Sequence, residues 1–461
     1  MADRPGDPAS APAEFADIGL PSRVTDSVEE SLDACFSCHA LGDVITEGYL
    51  PGARLADYQA LKLPILGDDP YLPDGRVRTF AYQGTHLSSS CYVDGNMTCV
   101  SCHEPHGLGY WDINRSPLAS ETDDRQCTSC HAAKATAPET HTYHAADSPG
   151  ARCVSCHMPY LQHPEVGAAV PFARSDHTIP VPRPQLDGRL GLVSACRGCH
   201  TDRSELRLQA QVDDWWGETK PVDRVTAGLL AVTDRMGPDQ AGRMLLHPDE
   251  PGTMARFQGL ARFLTRWVRP GAGLAPDATD RVARLAGSQD PDLRALALAT
   301  LHAAVSTPGA GSPDAALAAA ADAIPTPAAG VPATTVADEP LAIRRRWVMI
   351  LGFLSDEALT RDDAPAAEAL LQRALAVIPG DAGVLRSLGL LHNRTGDYPR
   401  AIAAFTESRG ADPDQPLARV NLGRTGRIDD AIPHARRAVE FSPGDQTARD
   451  ILAQLEAARS P

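Results

Sequence analysis

The sequence predicts a chain in two architectural parts. A first part with little regular structure has short helices packed around a bound cofactor, and an all-α helical-repeat solenoid follows it. Three observations predict this. Cys-x-x-Cys-His occurs five times between residues 35 and 200 and nowhere beyond. Aromatic residues make up only 5% of 461 residues, which is thin for a large core unless something else supplies apolar surface. Beyond residue 220 the composition turns to Ala, Leu, Arg and Asp at helical spacing, with no further cysteine.

The five motifs are Cys35-Phe-Ser-Cys38-His39, Cys99-Val-Ser-Cys102-His103, Cys127-Thr-Ser-Cys130-His131, Cys153-Val-Ser-Cys156-His157 and Cys196-Arg-Gly-Cys199-His200, and they use ten of the eleven cysteines. Two thiols at this spacing tether a haem through its vinyl groups, and the adjacent imidazole ligates the iron from one side. Structural zinc sites pair two knuckles and have no use for a His directly after the second Cys. A thioredoxin-like site needs one Cys-x-x-Cys, and a disulfide framework suits a much shorter chain. The expected cofactors are therefore five haem c. His39, His103, His131, His157 and His200 are the expected proximal ligands, in a multihaem cytochrome c domain over residues 31–220.

Six further histidines fall in the same half of the chain: His86, His106, His141, His144, His163 and His177. They are the candidates for the five distal positions, with His106, His144 and His177 foremost and His141 alternatively a pocket group beside a haem edge. Trans axial histidines hold their Cα atoms roughly 12–13 Å apart, whereas three extended residues span about 10–11 Å. His106 is thus placed to ligate a haem other than the one on Cys99 and Cys102. Met97 and Met158 are alternative thioether donors, read more simply as packing residues. Cys91 is the odd thiol, read as a buried free cysteine, with an iron ligand or an intermolecular disulfide as alternatives.

A net charge of −16 argues against nucleic acid or an anionic membrane surface as a partner and leaves a basic patch on a redox protein open. No apolar run reaches the roughly 18–20 residues of a bilayer span. Residues 1–30, rich in Ala, Pro and Asp, read as an extended or disordered lead without the regions of a signal peptide. Covalent haem attachment takes place outside the cytoplasmic membrane, so a periplasmic or extracellular location is expected, with the export signal absent from this chain.

In the tail, residues 221–338 read as HEAT-like paired helices with a linker. Asp280–Gly287 is followed by a second helix opening at Asp290-Pro-Asp292-Leu293. Residues 339–461 read as tetratricopeptide repeats. Leu388, Gly389, Gly396, Tyr398, Ala401, Phe405 and Pro413 fall at that unit's signature spacings, and a shortened unit follows from Pro413 to Pro443, the shortfall lying between Gly423 and Gly426. The surface so formed serves either to dock a partner segment or to cap the haem domain.

The runs Cys35-x-x-Cys38-His39-Ala-Leu, Asp74-Gly75 and Cys99-Val-Ser-Cys102-His103-Glu-Pro-His106-Gly107 resemble the large multihaem c-type cytochromes that carry a tetratricopeptide tail. So do Gly150-Ala-Arg-Cys153-Val-Ser-Cys156-His157-Met158-Pro159, Asp176-His177-Thr-Ile-Pro-Val-Pro-Arg-Pro184 and Cys196-Arg-Gly-Cys199-His200. The haem cores of that family are related to the tetrahaem cytochromes of ammonia oxidisers. The resemblance covers residues 33–450 and is most specific from Cys99 to Pro184. It implies His106, His144 and His177 as distal ligands, and haems stacked in near-contact pairs for electron transfer. Family members commonly carry haem sites upstream of the position of Cys35, and a methionine where Cys91 stands.

Two functions follow as expectations. Enough spare imidazoles to saturate every iron point to an electron carrier, with redox partners reached through the tail or copies assembled on it. One haem left five-coordinate would instead make an oxidoreductase for a small nitrogen or sulfur compound.

Overall fold

The computed structural model describes residues 27–67, 69–78, 82–104, 109–160, 175–217, 219–305, 312–322, 324, 339–411, 428–441 and 446–459. Most of the expected lead, two distal candidates (His106 and His163) and the shortened repeat junction between Gly423 and Gly426 lie outside these residues. The chain is mostly helical. Among the described residues the only sheet is the two-residue pair Asp43–Val44 and Gln59–Ala60, antiparallel.

Two compact units divide after Phe263, inside the helix Thr253–Trp267. The first unit opens with the helix Val28–His39, whose N-terminus Ser27 caps by accepting from the Glu30 amide at 3.1 Å. Residues 28–30, assigned to the lead from composition, therefore belong to this helix. Short helices of one to two turns follow, among them Tyr82–Ser88, Pro138–Thr142 and Pro184–Arg189. Helices of this length hold few internal hydrogen bonds and depend on what they pack against. Buried Arg76 supplies one such tie. Its Nε donates to Asp74 Oδ2 at 2.8 Å and its Nη1 to Asp187 Oδ1 at 2.6 Å, joining the 74–76 turn to Pro184–Arg189.

The helices after residue 220 do not all leave this body. Thr226 Oγ1 donates to the Pro73 carbonyl and Gln258 Nε2 to that of Leu72, at 3.2 and 3.1 Å. The change of composition near residue 220 thus precedes the change of compact unit by some forty residues, because amphipathic helices pack as readily on a body of short turns as on one another.

In the second unit the helix Pro291–Ala304 is buried almost all round, which explains its nearly continuous Ala and Leu. It packs against the helices Pro276–Ala286, Ser312–Asp322 and Glu339–Thr360. Then Ala364–Val377, Ala382–Arg394 and Tyr398–Ala411 succeed one another, each packed on its predecessor. Aspartates start Pro291–Ala304, Ala364–Val377 and Ala382–Arg394: Asp290, Asp363 and Asp381 accept from the amides of Leu293, Ala366 and Val384 at 2.9, 3.1 and 2.9 Å. Among the described residues no helix is long and apolar enough to cross a membrane.

Candidate cofactor and metal site

Each Cys-x-x-Cys-His segment forms one helical turn. The first motif ends the helix Val28–His39, the second and fifth start the short turns Cys99–Ser101 and Cys196–Gly198, the third begins in the last two residues of Arg125–Thr128 and runs on as a turn, and the fourth is Cys153–His157. The amide of the motif histidine donates back to the carbonyl of the first cysteine at 3.0 Å for His103, 2.9 Å for His131 and 2.8 Å for His200. One turn places residues i and i+4 on one face, so the first thiol and the imidazole address the same side.

Three motif histidines each meet one spare histidine. Ring centroids are 6.2 Å apart for His103 and His177, 6.3 Å for His141 and His157, and 6.1 Å for His144 and His200, with interplanar angles of 18°, 2° and 41°. Van der Waals stacking of aromatic rings would bring the faces closer. Two imidazoles in trans on one metal, each nitrogen about 2 Å from it and each ring centre about 1 Å further back, have centroids roughly 6 Å apart.

The second ring nitrogen supports the same arrangement. Nδ1 of His157 lies 2.9 Å from the Pro180 carbonyl, that of His177 3.0 Å from Ser175 and that of His144 2.5 Å from Thr142. Carbonyls only accept, so Nδ1 carries the proton in each and Nε2 keeps its lone pair for a metal. Burial also holds the rings of His103, His141, His157 and His177 below the usual imidazole pKa, in the neutral form that ligates.

His86 is oriented differently. It is buried, its Nε2 is 2.9 Å from the Met97 carbonyl, and its ring lies against Phe36 and Tyr92. Met97 thus engages it through the main chain. Met158 caps the Cys153–His157 turn through its amide on Val154. Among the described residues neither His39 nor His131 faces a second imidazole. Nor do three His, Cys, Asp or Glu side chains converge as a metal held by protein ligands alone requires. The histidines meet in twos, as suits an iron whose other four ligands come from a porphyrin.

The thiols also meet across motifs. Cys35 hydrogen-bonds Cys99, which lowers the first and raises the second because one thiolate is stabilised by the other's proton. Contact with Cys127 similarly raises Cys153. Burial pushes Cys102 and Cys196 up to about 11, keeping them as thiols. Cys91 is raised by burial too and stands near Cys102 and Cys130, between two motifs.

Segments between motifs hold these turns in place. The Val100 carbonyl accepts from Trp111 Nε1 at 2.7 Å and Arg115 Nη1 at 3.0 Å, folding residues 110–116 over the second motif. Asp124, before the third motif, accepts from the Cys153 amide of the fourth at 2.8 Å. Beside His177, Asp176 is buried; its Oδ1 accepts from Thr178, its Oδ2 has no hydrogen-bond partner, and burial raises its carboxyl to about 6. Nothing in the residue pattern assigned a site role to Tyr143, Gly150, Trp215 or Trp216, which surround His141 and His144. The paired tryptophans, two of only five in the chain, were the signal available. No protein-family model and no curated protein matches this chain.

Proposed function

We propose that the first unit is a pentahaem cytochrome c domain that carries electrons through five covalently bound haems, outside the cytoplasmic membrane. We further propose that the tail is a HEAT-like and tetratricopeptide solenoid that docks a redox partner or another copy. The supporting observation is the set of three His–His pairs at 6.1–6.3 Å, each joining a motif histidine to a spare one.

In this reading the ten motif cysteines would hold the haems as thioethers, each S–H adding across a vinyl double bond, and the five motif histidines would each hold an iron through one ring nitrogen. His177, His141 and His144 would hold the same irons as His103, His157 and His200 respectively. Bound haem iron supplies a one-electron couple. At these three haems an imidazole on each side would keep the ligand set the same in both oxidation states, so electron transfer there would require little rearrangement and would leave no position for substrate. The Cys35–Cys99 and Cys127–Cys153 contacts would bring the attachment edges of neighbouring haems together in pairs. The acidic chain would meet a partner through that partner's basic surface.

Intact-mass measurement together with the alkaline pyridine spectrum of protein made in a haem-attaching host tests this. Five haem masses and a c-type spectrum are expected. An unmodified mass, or zinc in place of haem, would refute it.

A further inference from the structure

His141 and His144 stand three residues apart yet face different motif histidines, His157 and His200. The helix that carries the first, Pro138–Thr142, has a single turn, and the residue that separates it from the second, Tyr143, is in the left-handed region with φ +54. A one-turn helix ending in a strained tyrosine cannot by itself aim two side chains. The end of the helix Glu205–Trp216 provides the support. Trp216 Nε1 donates to the His141 carbonyl at 2.9 Å, and its ring meets the His141 ring edge-on at 6.1 Å. Trp215 stacks on Tyr143 at 4.6 Å and 7°, accepts from the Tyr143 hydroxyl at 3.0 Å, and meets the His144 ring at 6.3 Å and 82°. The two indoles cross each other at 88°. Core filling does not account for these rings, since Tyr143 is 45% and Trp216 37% exposed.

We propose that Trp215, Trp216 and Tyr143 form an aromatic clamp that orients His141 and His144 together, so that one helix end sets the axial-ligand geometry of two haems. They are positioning residues, and the proposal rests on the haem reading above. The two haems report separately, because the His141–His157 planes are nearly parallel at 2° while those of His144 and His200 are turned by 41°. Parallel imidazole planes split the iron π orbitals most strongly, and twisting them moves the largest g-value of the low-spin ferric signal upward.

Low-temperature electron paramagnetic resonance of the oxidised holoprotein tests the clamp. Trp216→Phe keeps a ring but loses the donor, and it should shift only the parallel-plane signal. Trp215→Phe should shift only the twisted one, and Tyr143→Phe should shift both. Trp347→Phe, in the other unit, should shift neither. All four should retain five haems. Unchanged g-values in the three clamp variants, with all haems present, overturn the clamp while leaving the haem reading standing. A wild-type protein without haem overturns the haem reading, and the clamp with it.

Discussion

Gly150 lies against the ring of His144. A Cβ added there would stand 2.4 Å from Cδ2 and 2.7 Å from Cγ, inside any tolerable contact. Gly150→Ala should therefore displace His144, costing about 1–3 kcal/mol as overpacking does. We expect one haem to convert from low-spin to high-spin, read in the visible charge-transfer region, with the haem count unchanged. This constraint was hidden in the sequence, where Gly150 is one of thirty-seven glycines. The motif cysteines and histidines were legible because the proposed covalent attachment demands a fixed spacing. The choice among spare histidines was not, because the two rings of each pair come from separate parts of the chain and meet only through the tertiary fold. Thus His141, read alternatively as a pocket group, faces His157, whereas His86 turns its Nε2 to a backbone carbonyl.

In the second unit, His302 has a partly buried ring whose Nδ1 has no partner, and burial beside Arg373 lowers its pKa to about 4. The unfolded chain takes up a proton near pH 6.5 that the folded chain refuses until about pH 4. Stability is thus fully present above pH 6.5 and falls as pH drops toward 4, by on the order of 2–3 kcal/mol. Hydrogen exchange across Pro291–Ala304 should accelerate over that interval in the wild type, and His302→Leu should flatten the response.

At the scale of elements, helices of the second unit are pinned by a buried ion pair. Arg346 Nε donates to Asp292 Oδ1 at 2.5 Å, with Arg346 fully buried, linking Glu339–Thr360 to Pro291–Ala304. Arg346→Met strands the carboxylate and should cost about 3–5 kcal/mol in chemical unfolding, while adding Asp292→Leu should recover much of the loss. Further on, a Cβ at Gly389 would meet the Phe405 ring at 2.5 Å, so Gly389→Ala should lower the unfolding midpoint of the tail. These two residues were singled out by repeat spacing alone, which encodes a close approach of adjacent helices. Repeat spacing could not reveal the Arg346–Asp292 pair, because arginine in a helical pattern reads as a solvent-facing residue.

Across the whole molecule, helix content and the concentration of chemistry in the first half follow from composition, and the division into units does not. It falls inside Thr253–Trp267, a continuous helix with no break in its sequence to mark it. The proposed haem unit therefore includes helices beyond residue 220. A chain ending at residue 270 should keep the full haem spectrum, whereas one ending at residue 221 loses the Thr226 and Gln258 ties to Pro73 and Leu72 and should lose haem. The reverse outcome would return the boundary to the point where composition changes.

The central claim of the proposed reading is that His177, His141 and His144 close the irons opposite His103, His157 and His200. The most direct measurement is low-temperature electron paramagnetic resonance of the oxidised His177→Ala holoprotein beside the wild type. The account predicts that the haem of His103 alone changes from a low-spin to a high-spin signal, with all five haems still attached. A spectrum identical to wild type, or a wild type already high-spin at that haem, would contradict it.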